Sequence, residues 1–191
     1  PILTFARFEA DDVIGTLAER AVEAGFEVAI VTGDKDFFQL VHDGITVYNP
    51  RDDGTWFDAG GVKEKFGVLP SQVVDVLALM GDSIDNIKGV PGIGEKGARD
   101  LIAQYGSLEE LLAHAAEVSN KRYREGLLNH ADGARQSREL ARIRIDVPVE
   151  FICFASQHDN MIVPRDVQVL DCAEAVWFER IGHLAMTNSD E

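Results

Sequence analysis

The segment Ile87-Lys-Gly-Val-Pro-Gly-Ile-Gly-Glu-Lys96 narrows the possible folds more than any other stretch of the chain. Its glycines and proline stop a helix or strand from running through it. An apolar helical pattern over Ser71–Met80 ends before it and another begins at Glu95, so the segment must turn the chain between two helices. Gly89, Gly92 and Gly94 permit positive φ and close backbone approach, and Pro91 fixes the turn. The Gly92-Ile-Gly94 step leaves N–H groups free at the next helix N-terminus, a seat for a phosphate. Lys88, Lys96 and Arg99 add positive charge there. A helix precedes the glycines, which excludes a dinucleotide-binding fingerprint. The plainer alternative is an αα-hairpin whose glycines serve packing alone.

Around this hairpin, 191 residues with 46% hydrophobic content can bury a core, as one domain or a domain with a subdomain. Disorder, collagen and coiled coil are excluded. No stretch approaches the ~18 apolar residues of a membrane span, and the densest, Val73–Met80, is broken by Asp75. No secretory signal opens the chain. Cys153 and Cys172 are too few for a disulfide framework or zinc knuckle, so a reducing cytoplasm is the expected location. Pro1 in place of an initiator Met points to a fragment. The net charge of -15 argues against gripping nucleic acid over the whole surface, so the placement of the acids decides.

From Glu9 a helix is expected, with Val13, Ile14, Leu17, Ala18, Ala21 and Val22 on its buried face and Gly25 as its stop. Val28-Ala-Ile-Val31 is a continuous apolar run, as in a strand of a parallel sheet buried on both faces. Ile45-Thr-Val-Tyr48 is a second strand, and a short helix covers Phe37–Leu40. Further helices are expected over Ala59–Phe66, Ser71–Met80, Glu95–Tyr105, Leu108–Ala116, Asn120–Asn129 and Ala131–Arg144. The elements indicate an α/β core followed by a helical region. Two strands are too few for an open sheet of about 4–6, so its first strands are expected to be missing from the chain. In the tail, Phe151–Phe154 can be a strand and Ala173–Ile181 a helix.

Three acidic clusters stand at element junctions: Glu9-Ala-Asp-Asp12, Asp34-Lys-Asp36 and Asp82-Ser-Ile-Asp85. Each taken alone can be a helix cap. Capping does not call for acidic pairs at all three junctions. Carboxylates without His or Cys are hard ligands, suited to Mg²⁺ or Mn²⁺. So many in one crevice repel each other by several kcal/mol without cations, which favours two ions over one. Two such ions about 3.5–4 Å apart are a recurring device for phosphodiester hydrolysis. Residues 121–144 hold seven basic residues, Lys121, Arg122, Arg124, Arg135, Arg138, Arg142 and Arg144, against three acidic ones. They form either a solvated helical face or a second phosphate-backbone contact.

Glu9-Ala-Asp-Asp12, Thr32-Gly-Asp-Lys-Asp36, Met80-Gly-Asp-Ser-Ile-Asp-Asn86 and Gly89–Lys96 together resemble the flap-endonuclease-like 5′ nuclease family, which includes the 5′→3′ exonuclease domain of bacterial DNA polymerase I. The resemblance covers about residues 6–150, with Gly106-Ser-Leu-Glu109 and Ala141-Arg-Ile-Arg144 extending it. It implies an α/β fold: the remainder of a Rossmann-like (PIN-like) parallel sheet core plus a helical DNA-binding subdomain with a helix–three-turn–helix. Residues 1–58 would be the C-terminal part of the nuclease core, 59–150 the helical subdomain, and 151–191 an unassigned tail.

The implied activity is 5′→3′ exonuclease and 5′-flap endonuclease cleavage of DNA by two metal ions, as in replication and repair. Glu9 and Asp11 then serve the first ion with Asp12 beside them; Asp34, Asp36 and Asp82 serve the second, with Asp85 in support. Lys88, Gly89, Val90, Gly92, Ile93, Gly94, Lys96 and Arg99 bind duplex DNA, often around a K⁺ ion. A polymerase domain in the parent protein is implied as a partner. The family's domain begins with strands carrying further metal-binding aspartates and with a basic helical arch, so the chain is expected to be truncated N-terminally. Two alternatives stand beside this reading. One is a catalytically incomplete fragment that only binds duplex DNA; the remote one is a haloacid-dehalogenase-like phosphatase using Asp34 and Asp36.

Overall fold

The computed structural model of the chain describes residues 6–148, 152–156 and 174–178. Helix α1 (Ala10–Glu23) buries Val13 and Ala18 of the expected face, with Leu17, Ala21 and Val22 half-buried; Ile14 is 38% exposed instead, and Gly15 and Thr16 are buried, because Gly15 lies against Ile143 and Thr16 binds the segment after residue 143. Strand β1 (Val28–Val31) follows and pairs in parallel with β2 (Ile45–Asn49), in register from Val28 opposite Ile45 to Val31 opposite Tyr48. The crossover is a 3-10 turn over Lys35–Leu40. A third strand, β3 (Thr55–Phe57), lies antiparallel to β2 after a turn in which Asp53 and Gly54 are left-handed. Three residues are too short to show an alternating pattern, so this strand is not legible in the sequence.

The sheet order is β1-β2-β3, with Ile30, Ile45, Val47 and Phe57 pointing into the core. Burial on both faces is not what the structure shows. Val31 is 66% and Trp56 59% exposed, and both flank Tyr48 on the other face, which stays open among the described residues.

The helical part begins with α2 (Ala59–Phe66), capped by Asp58, whose carboxylate accepts from Gly61 N at 2.7 Å. A 3-10 turn over Pro70–Gln72 leads into α3 (Val73–Met80), buried from Val73 through Leu79. It lies between α4 (Glu95–Tyr105), α6 (Lys121–Ala141) and the 35–40 turn, which makes it the axle of the molecule. The expected helix over Leu108–Ala116 ends earlier, as α5 (Leu108–Ala113), and continues as a 3-10 turn over Ala115–Glu117. The two helices expected between Asn120 and Arg144 form α6 (Lys121–Ala141) as two helical stretches that meet at a kink at His130, where the backbone is non-helical.

Beyond this core, β4 (Ile152–Ser156) pairs in parallel with β5 (Glu174–Phe178) as a separate two-stranded sheet. The helix expected over Ala173–Ile181 is therefore a strand where it is described. Ala175-Val-Trp-Phe178 is short, β-branched and aromatic, a composition that favours strand over helix. Among the described residues, no helix is long and apolar enough to cross a membrane.

Candidate metal centre and nucleic-acid interface

The turn after β1 is built by its own side chains. Thr32 Oγ1 accepts from Asp34 N, and Asp34 Oδ1 accepts from Asp36 N, both at 3.0 Å. Asp34 thus caps the 35–40 turn, as the simpler reading of it holds, but Asp36 is not solvated. It is half-buried, and its Oδ1 is buried without a hydrogen-bond partner among the described residues.

After α3 the chain reverses at Gly81, and Asp82 and Ile87 exchange backbone hydrogen bonds of 2.9 and 2.7 Å. Asp82 Oδ1 accepts from Ile84 N at 2.7 Å, so Asp82 shapes a loop rather than capping a helix. Carboxylate oxygens of Asp36, Asp82 and Asp85 come within 4.8 Å of one another.

Burial, followed by the charges of Asp34 and Asp82, pushes the Asp36 carboxyl up to about 6. Asp11 is also raised, first by burial and then by Asp34, Glu9, Asp12 and Asp85. Glu9, Asp11, Asp12, Asp36 and Asp85 line one crevice of about 110 Å³, closed on the other side by residues 140–143. Glu9 occupies the N-cap of α1 without making a side-chain cap. Asp12 accepts from Arg144 N at 2.8 Å, so it fastens the chain after α6 to α1. Glu9 and Asp11 stay outside the 4.8 Å group.

The donor set fits a hard divalent cation. It is all oxygen, it includes a buried carboxylate oxygen with no partner, and its charges repel each other when no cation is bound.

In the hairpin, Gly89 and Gly92 take φ of 62° and 92°. Gly89 lies against Gly81, where a Cβ on Gly89 would come within 2.5 Å of Gly81 N. The two glycines let the metal-side loop and the hairpin cross backbone to backbone. Gly94 differs: it is the extended N-cap of α4, makes no side-chain cap and has open space around it. The first turn of α4 therefore starts without a capping side chain, with Glu95 and Lys96 exposed and Gly97 buried.

Val90 and Ile93 anchor the hairpin in the core at 2% and 4% exposure. Lys88 and Lys96 are exposed. Arg99 pairs with Glu95 through Nη2, its guanidinium lies 4.1 Å over the Phe66 ring, and its buried Nε has no hydrogen-bond partner among the described residues.

Residues 1–67 match the family model "5'-3' exonuclease, N-terminal resolvase-like domain", and residues 68–160 match "5'-3' exonuclease, C-terminal SAM fold". The chain belongs to the 5′-3′ exonuclease family. DNA polymerase I of Bacillus subtilis (strain 168) is 48% identical over 147 residues, which is 75% of this chain and 17% of that protein. The thermostable DNA polymerase I of Thermus aquaticus is 43% identical over 152 residues, 80% of this chain and 18% of the relative. The chain thus spans less than a fifth of the length of these curated relatives.

A structure described as divalent metal ions (zinc) bound to T5 5'-exonuclease shares the fold, with a TM-score of 0.67 at 22% identity over 74% of this chain and 52% of that one. The α/β core with its helical hairpin region is therefore the fold of this family. The phosphatase alternative loses its support.

Sequence reasoning passed over two residues that organise the site. Asp75 looked like an interruption in an apolar run, yet at 2% exposure it binds Arg138 and accepts from Leu108 N at 3.0 Å. Gln39 donates to Asp36 O at 3.0 Å and Ala141 O at 3.1 Å, and accepts from Ile143 N at 3.0 Å. Asp75 had a signal, a lone carboxylate at a buried helical position. Gln39 had none.

Proposed function

We propose that the chain carries metal-dependent 5′→3′ exonuclease and 5′-flap endonuclease chemistry, hydrolysing DNA phosphodiesters with two divalent ions. The observation that carries this reading is the convergence of carboxylate oxygens of Asp36, Asp82 and Asp85 within 4.8 Å of one another, with Asp36 Oδ1 buried and without a hydrogen-bond partner among the described residues.

Asp36, Asp82 and Asp85 would hold one ion with Asp34 alongside; Glu9 and Asp11 would face the other, and Asp12 would keep the segment after α6 in place. Bound there, Mg²⁺ or Mn²⁺ would supply activation of water and charge stabilisation for the leaving oxygen. The chain's own part is positional. Backbone hydrogen bonds at Asp82–Ile87 and the Asp34 cap fix where the carboxylates point, so little reorganisation is needed.

At the hairpin, the first-turn N–H groups of α4 with Lys88, Gly89, Gly92, Gly94 and Lys96 would seat the backbone of duplex DNA, with K⁺ as a possible bridging ion; Val90 and Ile93 act through their backbone and as anchors. Arg99 contributes by shaping the surface around Phe66. In this division of labour residues 1–58 supply Asp36, while 59–150 supply both Asp82 and the hairpin, so the centre spans the two regions. DNA with a 5′ end or flap is the proposed substrate, and a polymerase domain the proposed neighbour.

A second reading, a module that binds duplex DNA without cutting it, draws on the position of Glu9 and Asp11 outside the 4.8 Å group. A 5′-flap duplex incubated with the chain and Mg²⁺ or Mn²⁺ separates the two, beside a binding titration. Cleavage rejects the module; binding without cleavage favours it. The double variant Asp34→Ala, Asp36→Ala should lose Mg²⁺ binding in calorimetry, and unchanged binding would overturn the metal assignment.

A further inference from the structure

The seven cations of residues 121–144 divide sharply once their partners are known. Lys121 pairs with Glu125, Arg135 with Glu109 and Asp132, Arg138 with Asp75 and Arg144 with Asp146. Arg124 donates to Val118 O and Ser119 O. Among the described residues, Arg122 and Arg142 alone of the seven have neither a hydrogen-bond acceptor nor an ion-pair partner for the side chain. Arg122 lies against the hairpin at Gly92. Arg142 lines the carboxylate crevice, together with Asp11, Asp36 and Asp85.

From this placement we propose that Arg142 is a substrate-contacting residue that takes a phosphate of the nucleic-acid strand entering the crevice. The inference rests on the nuclease reading above and adds the group that receives the anion.

Its backbone is pinned on both sides. Gln39 binds Ala141 O and Ile143 N, and Asp12 accepts from Arg144 N, so the Arg142 Cα is held at the lip while its side chain is exposed. The guanidinium comes within ion-pair distance of no crevice carboxylate, which leaves its donors available.

A phosphodiester approaching this acidic cleft needs a fixed cation at the edge. A guanidinium is always charged and can bind a phosphate through two parallel hydrogen bonds. Arg122 and Arg142 are at most about 30 Å apart along α6, close to one turn of duplex, so a strand held at the hairpin can reach the crevice.

The test compares the chain with R142Q, R142K and, as a control from among the paired cations, R135Q. Binding of a 5′-flap duplex is titrated across salt concentration with metal chelated, and Mg²⁺ affinity is measured by calorimetry. R142Q should weaken binding about fivefold or more and lower the slope of log K against log salt by about 0.9. R142K should keep the slope, R135Q should match the parent chain, and Mg²⁺ affinity should hold in all three. An R142Q slope and affinity equal to the parent's would overturn the proposal. So would tighter Mg²⁺ binding by R142Q with DNA binding unchanged, which would make Arg142 a counter-charge. A parent chain without salt-sensitive binding would instead reject the nuclease reading itself, and Arg142's role with it.

Discussion

A carboxyl pushed up to about 6 by burial and acidic neighbours makes Asp36 a cost to the folded state whenever it is ionised without a cation nearby. Its folded pKa lies above its unfolded one of 3.8, so the folded chain holds the extra proton between those values. That contribution to stability is fully present below about 4 and is lost as pH rises through about 6. With metal chelated, the unfolding temperature should therefore be higher at pH 5 than at pH 7. Asp36→Asn should reduce that difference, and Asp11, also raised, should account for part of what is left. Protons and Mg²⁺ compete for the same oxygens. Calorimetry should accordingly show Mg²⁺ affinity falling as pH drops below 6, and a flat profile would count against Asp36 as a ligand.

Between elements, the junctions matter more than the helices. Gln39 joins the turn after β1 to the end of α6 through three backbone hydrogen bonds, two at 3.0 Å and one at 3.1 Å. Gln39→Ala should cost about 2 kcal/mol in urea unfolding, since net losses run about 0.5–1.5 kcal/mol per bond and some partners regain water. It should also weaken Mg²⁺ binding, because Asp36 loses a fixed backbone. The crossing of Gly81 and Gly89 is less forgiving. Gly89→Ala combines φ of 62° with a Cβ 2.5 Å from Gly81 N. The loss should be about 3 kcal/mol, and both metal and DNA binding should fall together, because the same contact holds the Asp82 loop and the hairpin. A variant that lost only one of the two functions would show that they are built independently.

Across the whole molecule, Asp75 ties α3 to α5 and α6 from inside the core. Asp75→Ala leaves Leu108 N without its acceptor inside the core and Arg138, 29% exposed, without its partner, so it should cost about 2–4 kcal/mol, less than for a pair buried on both sides. Replacing Asp75 and Arg138 together by apolar residues should cost less than Asp75→Ala alone, as a double-mutant cycle would show. The net charge of -15 takes its meaning at the same scale. Five of the 33 acids, Glu9, Asp11, Asp12, Asp36 and Asp85, line the crevice, while most of the cations of residues 121–144 are paired internally, so the proposed contact with nucleic acid would fall to a few groups at defined points.

Sequence by itself determined what depends on neighbours along the chain. The existence of α1, the runs of β1 and β2, the turn at Gly89–Gly92 and the three acidic junctions each follow from spacing and backbone preference within about ten residues, whereas the buried face of α1, with Thr16 in and Ile14 out, does not. The same spacing allowed a helix where β5 lies and missed β3, because short apolar runs serve strand and helix alike. Only the tertiary structure decided which carboxylates meet: Asp36 and Asp82 lie far apart in sequence, and their approach depends on the packing of α3. It also decided which cations are already paired. Arg138 and Arg142 look equivalent in sequence, but Arg138 reaches a partner 63 residues away and Arg142 is left open at the crevice. Pairing over such distances is set by how the elements pack, and residue spacing carries no record of it.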